Sequence, residues 1–335
     1  MIHLLPISLS LLVVLMPDIV RELENLPPEQ LLKMLKNIRA LSGDVLTLEG
    51  IQKSGAIQTF IKFLERRSGK FLVEICTTVL MIMYNFCKIS KKRQEYAAAS
   101  GLVPHLIYFS SSKRDGPPQL GNLSHPFSSC FMLSPSNYSF LFHFYSSLFF
   151  PLLWRLMGSA AMEMLCDFAH SEKCRPYLKK HHVLHHYLNF LVLSKSYISV
   201  NALEAIAVWL GEDKEMEAEI AKKVEVDKIV HMFKVAPDGS MLAPLLKILS
   251  TSDQISAKLG ENTTFVTLLV ERLSHRDAFV KLNLLKILKP ILVQKTISPE
   301  LIKSKVLPTM KHLEEDEGMV LVKNMAKQIR ELVTQ

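Results

Sequence analysis

One phrase recurs along this chain at a nearly fixed distance. A small or polar residue comes first, an apolar residue follows closely, and further apolar residues stand at steps five, six, eight or nine. It reads GAIQTFIKFL from Gly55, GLVPHLIYFS from Gly101 and HVLHHYLNFL from His182, with weaker copies VEVDKIVHMF from Val224, TFVTLLVERL from Thr264 and KVLPTMKHLE from Lys305. The starts lie 46, 81, 42, 40 and 41 residues apart, so every gap but one fits a single period. A unit of that length is too small to bury its own apolar face, and stacked neighbours complete a continuous core.

A second ruler runs inside each unit. Nineteen residues after the phrase begins stand Glu74, Asn201, Ala243, Asn283 and Asn324. Two residues further come Cys76, Leu203, Leu245, Leu285 and Ala326, and five further come Val79, Ile206, Ile248, Leu288 and Ile329. Steps of two and five place the apolar side chains three apart, on one helical face. The expected fold is all-α: an armadillo/HEAT-like right-handed superhelix, an α-solenoid of about six helical repeats. Only 12 glycines in 335 residues agree with helix over sheet.

The 81-residue gap carries a surplus. Residues 116–154 hold no Asp, Glu, Lys or Arg, and Phe, Ser, Leu and Pro make up 24 of the 31 residues from Leu123 to Leu153. If the segment is set aside, the nineteen-residue ruler lands on Ser159, with Ala161 and Met164 in the core places. Pro126, Pro135 and Pro151 leave no proline-free interval longer than 15 residues, short of the roughly 20 that a membrane helix needs. All four dominant residue types are encoded by pyrimidine-rich triplets, so the favoured reading is a translated intron; a disordered loop is the alternative. The chain therefore divides into an apolar leader over 1–17, non-native or disordered, repeats over 18–115, the uncharged insertion over 116–154, and repeats over 155–335. The leader imitates a secretory signal but lacks a basic start and a small-residue cleavage site.

Catalytic chemistry finds no foothold. His275-Arg276-Asp277 imitates a kinase catalytic loop, yet Asn283 follows the Asp by six residues rather than five, and no Gly-rich loop, strand-borne lysine motif or D-F-G accompanies it. His181 and His185, and likewise His182 and His186, have a spacing that binds metal on a helix, but a third ligand is missing nearby. We expect no catalytic residue, cofactor or metal. Five cysteines without a C-x-x-C pair indicate a reduced, cytoplasmic protein. The net charge of +8 is scattered, which points weakly to an acidic partner and not to nucleic acid. Asn201, Asn283 and Asn324, at one ruler position, are the candidate partner-binding residues. On stacked second helices of the repeat pair they form a ladder that grips an extended peptide backbone, or each amide bonds a neighbouring inter-helix loop; the loop reading is the plainer of the two.

Several stretches have familiar wording: LPPEQLLKMLKNIRALSGDVLTLEGIQKSGAI (Leu26–Ile57), LCDFAHSEKCR (Leu165–Arg175), NALEAIAVWL (Asn201–Leu210) and KLNLLKILKPI (Lys281–Ile291). They resemble the non-catalytic C-terminal armadillo-like region of the fungal septation-network Ser/Thr protein kinases, relatives of the MAP kinase kinase kinase class and its plant epsilon members. The resemblance covers roughly residues 20–114 and 155–335. It implies a protein-interaction scaffold for cytokinesis and mitotic exit, a parent polypeptide with an N-terminal kinase domain, and recruitment to spindle pole bodies by a small GTPase. No kinase residue carries over, so the kinase half belongs to a separate gene model or the chain stands alone. A fragment of an active kinase and a general armadillo adaptor for extended peptides are the alternatives. Partner identity and oligomeric state stay open.

Overall fold

A computed structural model of the chain describes residues 9–66, 68–111, 153, 155–192, 196–235, 241–315 and 319–334. It divides into two compact units, Met1–His181 and His182–Gln335. Every described element of secondary structure in both is helical, as the repeat predicts.

The first unit contains α1 (Leu9–Leu23), α2 (Pro28–Leu41), α3 (Val45–Lys53), α4 (Ala56–Glu65), α5 (Leu72–Cys87), α6 (Lys91–Ala99), α7 (Val103–Ser111), α8 (155–168) and α9 (Arg175–Lys180). The second contains α10 (Val183–Phe190), α11 (Ser196–Trp209), α12 (Lys214–Ile220), α13 (Lys223–Val235), α14 (Leu242–Thr251), α15 (Asp253–Glu261), α16 (Thr263–Glu271) and α17 (Ala278–Val293). It ends with α18 (Pro299–Leu301), which runs through a π-turn into α19 (Leu307–Glu315), and with α20 (Val320–Thr334). Each repeat is a triplet, with a short first helix such as α3 or α15 ahead of the pair that the sequence predicts.

The short first helices other than α9 start where a side chain takes over the orphan backbone donors. Asp44 accepts from Thr47 N at 2.9 Å, Ser90 from Arg93 N at 3.4 Å, Ser252 from Ile255 N at 3.1 Å and Ser298 from Leu301 N at 3.3 Å. Asp213 accepts from both Glu215 N and Met216 N. Such caps are worth about 1 kcal/mol each. In three repeats the turn into the second helix uses a left-handed residue: Gly55 has φ 71° and Gly101 φ 97°. Hence the recurring phrase opens on glycine, which adopts that conformation without a Cβ clash. His182 stands in the same place with φ 53°.

In the first unit α5 packs against α2, α4 and α6, while α1 packs against α3 and α4. The helix α1 begins at Leu9 and buries Met16, Val20 and Leu23, so the leader boundary expected after residue 17 falls inside a helix. Residues 1–8 lie outside the described residues. In the second unit the third helices α11, α14, α17 and α20 pack side by side in chain order. The ruler's core positions are all buried: Cys76, Val79, Ala161 and Met164 in the first unit, and Leu203, Ile206, Leu245, Ile248, Leu285, Leu288, Ala326 and Ile329 in the second. Among the described residues no helix is long and apolar enough to cross a membrane.

The insertion expected over 116–154 lies outside the described residues except for Leu153. It falls between α7 and α8, a second and a third helix. The corresponding links elsewhere are 66–71, 191–195, 236–241, 272–277 and 316–319. Without 116–154 the α7–α8 link is 112–115, which matches the shortest of them. A chain lacking residues 116–154 is therefore expected to keep its helical circular dichroism and its urea stability to within about 0.5 kcal/mol. A larger loss would make the segment part of the fold.

Candidate partner-binding face

The ladder positions fall on the outer side of the third-helix layer of the second unit. Asn201 (α11) and Asn283 (α17) are half-buried, and Ala243 (α14) and Asn324 (α20) are exposed. The alternation follows from the ruler: the residues two and five further on face inward, which turns the ladder position out. None of the three asparagine side chains hydrogen-bonds another described residue. The expectation that each amide bonds an inter-helix loop therefore does not hold among the described residues. At half-exposed positions water satisfies these groups, and they remain available to a ligand.

Two further rows share the geometry, and the sequence reading missed them. One turn earlier stand Tyr197, Phe279 and Val320, exposed by 47%, 78% and 67%. Three residues later stand Glu204, Leu246, Lys286 and Lys327, of which Glu204 and both lysines are exposed. The same nineteen-residue ruler, read at offsets of minus four and plus three, finds both rows. On α11, α17 and α20 the face thus offers an apolar side chain, then an amide, then a charge, while α14 between α11 and α17 has Ala243 and Leu246 in the last two places. Lys289 of α17 donates to Gln328 Oε1 of α20 at 3.1 Å, which straps two of these helices together.

The other sequence candidates have structural roles. Asp277 accepts from Phe279 N at 2.7 Å and Val280 N at 3.4 Å, and His275 Nδ1 accepts from Asp277 N at 3.0 Å. The kinase-like triplet is thus the N-terminal cap of α17. The backbone turns at His182 before α10 starts, and the His185 and His186 rings meet edge-on at 6.0 Å. No group of three His, Cys, Asp or Glu able to hold a metal ion occurs among the described residues. The four described cysteines are buried, and burial pushes the Cys87 thiol well above its usual range and Cys174 to about 11. Such thiols are inert packing groups. A cavity of about 580 Å³ in the second unit is lined by Lys281, Ser304, Thr309 and His312, with Lys305 paired to Glu271 at 3.2 Å.

One buried acid in the first unit gives a pH signature. Asp167 on α8 is pushed up to about 6, first by burial and then by the carboxylate of Glu163, with Lys88 opposing. Glu163 itself accepts from Tyr84 Oη at 2.7 Å, a link between α5 and α8. A carboxyl whose folded pKa is raised binds more protons when folded, so stability falls as pH rises from about 4 to about 6. Asp167→Asn removes that penalty. It should gain on the order of 1 kcal/mol at pH 7.5, discounted for partial exposure, and nothing at pH 4, read from urea midpoints at the two pH values.

No family model matches the chain. Among curated proteins, MAP3K epsilon protein kinase 2 of Arabidopsis thaliana is 34% identical over 313 residues, covering 89% of this chain and 20% of that protein. Cytokinesis protein sepH of Aspergillus niger is 28% identical over 320 residues, covering 92% of this chain and 21% of that protein. The chain corresponds to a non-catalytic region of these kinases. It spans about a fifth of their length, and the described residues form helical repeats where kinase chemistry requires a strand-borne lysine and a Gly-rich loop. The solved structures agree on the fold. A computationally designed armadillo repeat protein for modular peptide recognition matches with a TM-score of 0.60 at 14% identity, over 82% of this chain and 99% of that one. A designed armadillo repeat protein in complex with the peptide (KR)4 matches with a TM-score of 0.58 at 15% identity, over the same shares. The fold is that of armadillo repeats, and the sequence is similar to one region of the MAP3K epsilon and sepH proteins.

Proposed function

We propose that this region of the MAP3K epsilon and sepH type is a non-enzymatic binding module, and that the third-helix layer of its second unit takes up an extended peptide segment of a protein partner. The observation that carries the reading is the row Asn201, Asn283 and Asn324. Three amides recur at one repeat position, face outward, and have no hydrogen bond to another described residue. An extended backbone presents donors and acceptors in regular succession, and an asparagine amide offers both. The peptide-bound designed relative supports the reading by fold. In the cell the module localises a septation kinase, with a small GTPase and a spindle-pole scaffold as the partners that the family resemblance implies.

The test is a peptide-display selection on the chain, followed by binding of the selected peptides to the variant Asn201→Ala/Asn283→Ala/Asn324→Ala. Each lost side-chain to backbone hydrogen bond is worth about 1 kcal/mol, so the variant should bind on the order of 100-fold more weakly. Unchanged affinity would remove the ladder from the binding site. A second reading places the chain within a longer, active Ser/Thr kinase; the fifth of kinase length that the chain spans favours it. A transcript read upstream of the codon for Met1 tests it, because a kinase frame running into this one supports it and a stop codon in frame contradicts it.

A further inference from the structure

The exposed charge on the α14, α17 and α20 part of the proposed face is basic, with Glu204 on α11 the exposed acid at its other end, and this narrows the partner. The helix α17 carries Lys281, Lys286 and Lys289 and no acidic residue, and α20 carries Lys323, Lys327 and Arg330 against Glu331 alone. Arg330 is already committed to Glu314 at 2.6 Å, and Lys289 to Gln328. Lys247 on α14, Lys286 on α17, and Lys323 and Lys327 on α20 are exposed, and none forms an ion pair with a described carboxylate. The first helix α12 is the reverse, with Glu215, Glu217 and Glu219 against Lys214. On α17 and α20 the exposed lysines thus stand beside the amides and the apolar row with little acidic charge among them.

Resting on the reading that the third-helix layer binds peptides, we infer that the segment it takes up is acidic: an extended stretch of a partner protein whose Asp or Glu side chains meet Lys286 and Lys327 while its backbone lies on Asn283 and Asn324. Lys286 and Lys327 share one repeat position, three residues beyond the two asparagines, so both lie on the same side of the amide row. Packed helices stand about 8–10 Å apart, and an extended chain advances about 3.3 Å per residue. Carboxylates two or three residues apart therefore span the two lysines. Apolar residues of the same segment reach Phe279 and Val320, one turn before the asparagines. Charge complementarity of this kind sets the choice of partner and the rate of encounter.

The experiment uses the full chain and three fluorescein-labelled peptides of equal length, with Glu, Lys or Gln at every third position among otherwise identical residues. Fluorescence anisotropy should show the Glu peptide binding at least about tenfold more tightly than the Gln peptide, with the preference shrinking as salt rises, and the Lys peptide binding most weakly. In Lys286→Glu/Lys327→Glu the order of the Glu and Lys peptides should invert. Circular dichroism confirms that this exposed double variant is folded, and Lys222→Glu/Lys258→Glu, in the turn after α12 and on α15, is the control expected to keep the original order. If the Gln or Lys peptide binds as tightly as the Glu peptide and the asparagine variant weakens it, the peptide-binding reading stands and the acidic preference is wrong. If the Glu peptide is preferred but the lysine reversal leaves that preference intact, the site assigned here is wrong. If none of the three binds, the inference falls together with the reading on which it rests.

Discussion

Replacing Leu288 by alanine is expected to lower the stability of the second unit by about 3 kcal/mol, within the range for truncating a fully buried leucine. Leu288 is completely buried on α17, the third helix packed between α14 and α20. The transfer of its lost methylenes from the core to water accounts for part of the loss. The rest comes from the void, because neighbouring repeats hold both flanking helices in place and the gap closes poorly. Asn283→Ala on the same helix is the control. Its side chain has no hydrogen bond to a described residue, so its truncation should change stability by less than about 0.5 kcal/mol. Urea unfolding of the two variants measures the contrast; similar losses would show that the ruler misassigns inside and outside.

The second large effect is steric. At Gly260, in α15, an added Cβ would collide with Thr296 Oγ1 and lie 2.9 Å from Ile291 Cγ2, closer than real contacts allow. The glycine lets α15 sit against α17 and the turn that follows it. Gly260→Ala should therefore cost about 2 kcal/mol through overpacking, even after the gain in helix propensity that alanine brings. Part of the clash is with one side chain that can be removed. The double variant Gly260→Ala/Thr296→Ala should recover about half of the loss, and a double-mutant cycle on urea midpoints reads that coupling. Strict additivity would mean that Thr296 is not what the Cβ meets.

The fold was legible in the sequence to the extent that it repeats. Leu203, Leu245, Leu285 and Ala326 could be placed inside from spacing alone, since each copy of the pattern averages out the accidents of the others. The short first helices were not legible that way. Stretches such as KKRQEYAAA (α6) have little apolar periodicity, and a Ser or Asp cap starts all of them but α9, a signal too common in loops to stand out. The leader boundary after residue 17 was misplaced because Pro17 reads as a break, whereas α1 runs through it with Met16 and Val20 on one buried face.

The candidate face was half legible. Three asparagines at one position were visible in the sequence, but their lack of partners needed coordinates. Tyr197, Phe279 and Val320 escaped notice because apolar residues in an apolar repeat look like core. Only their exposure separates them from Leu284 or Ile287, which are buried on the same layer. Lys286 and Lys327 escaped because a net charge counted over a whole chain dilutes a cluster carried by two helices. The kinase-like HRD misled in the opposite way: His and Asp at that spacing also suit a helix cap, and capping is the role they have here.

The most direct test of the binding face is photo-crosslinking from a single position. A benzoylphenylalanine in place of Phe279, on the proposed face, and another in place of Glu219, on α12, would each be irradiated with a peptide selected on the unmodified chain. The account predicts crosslinked peptide from position 279 and none from 219. Crosslinking from 219, or none from 279 while the peptide is shown to be bound, would contradict it.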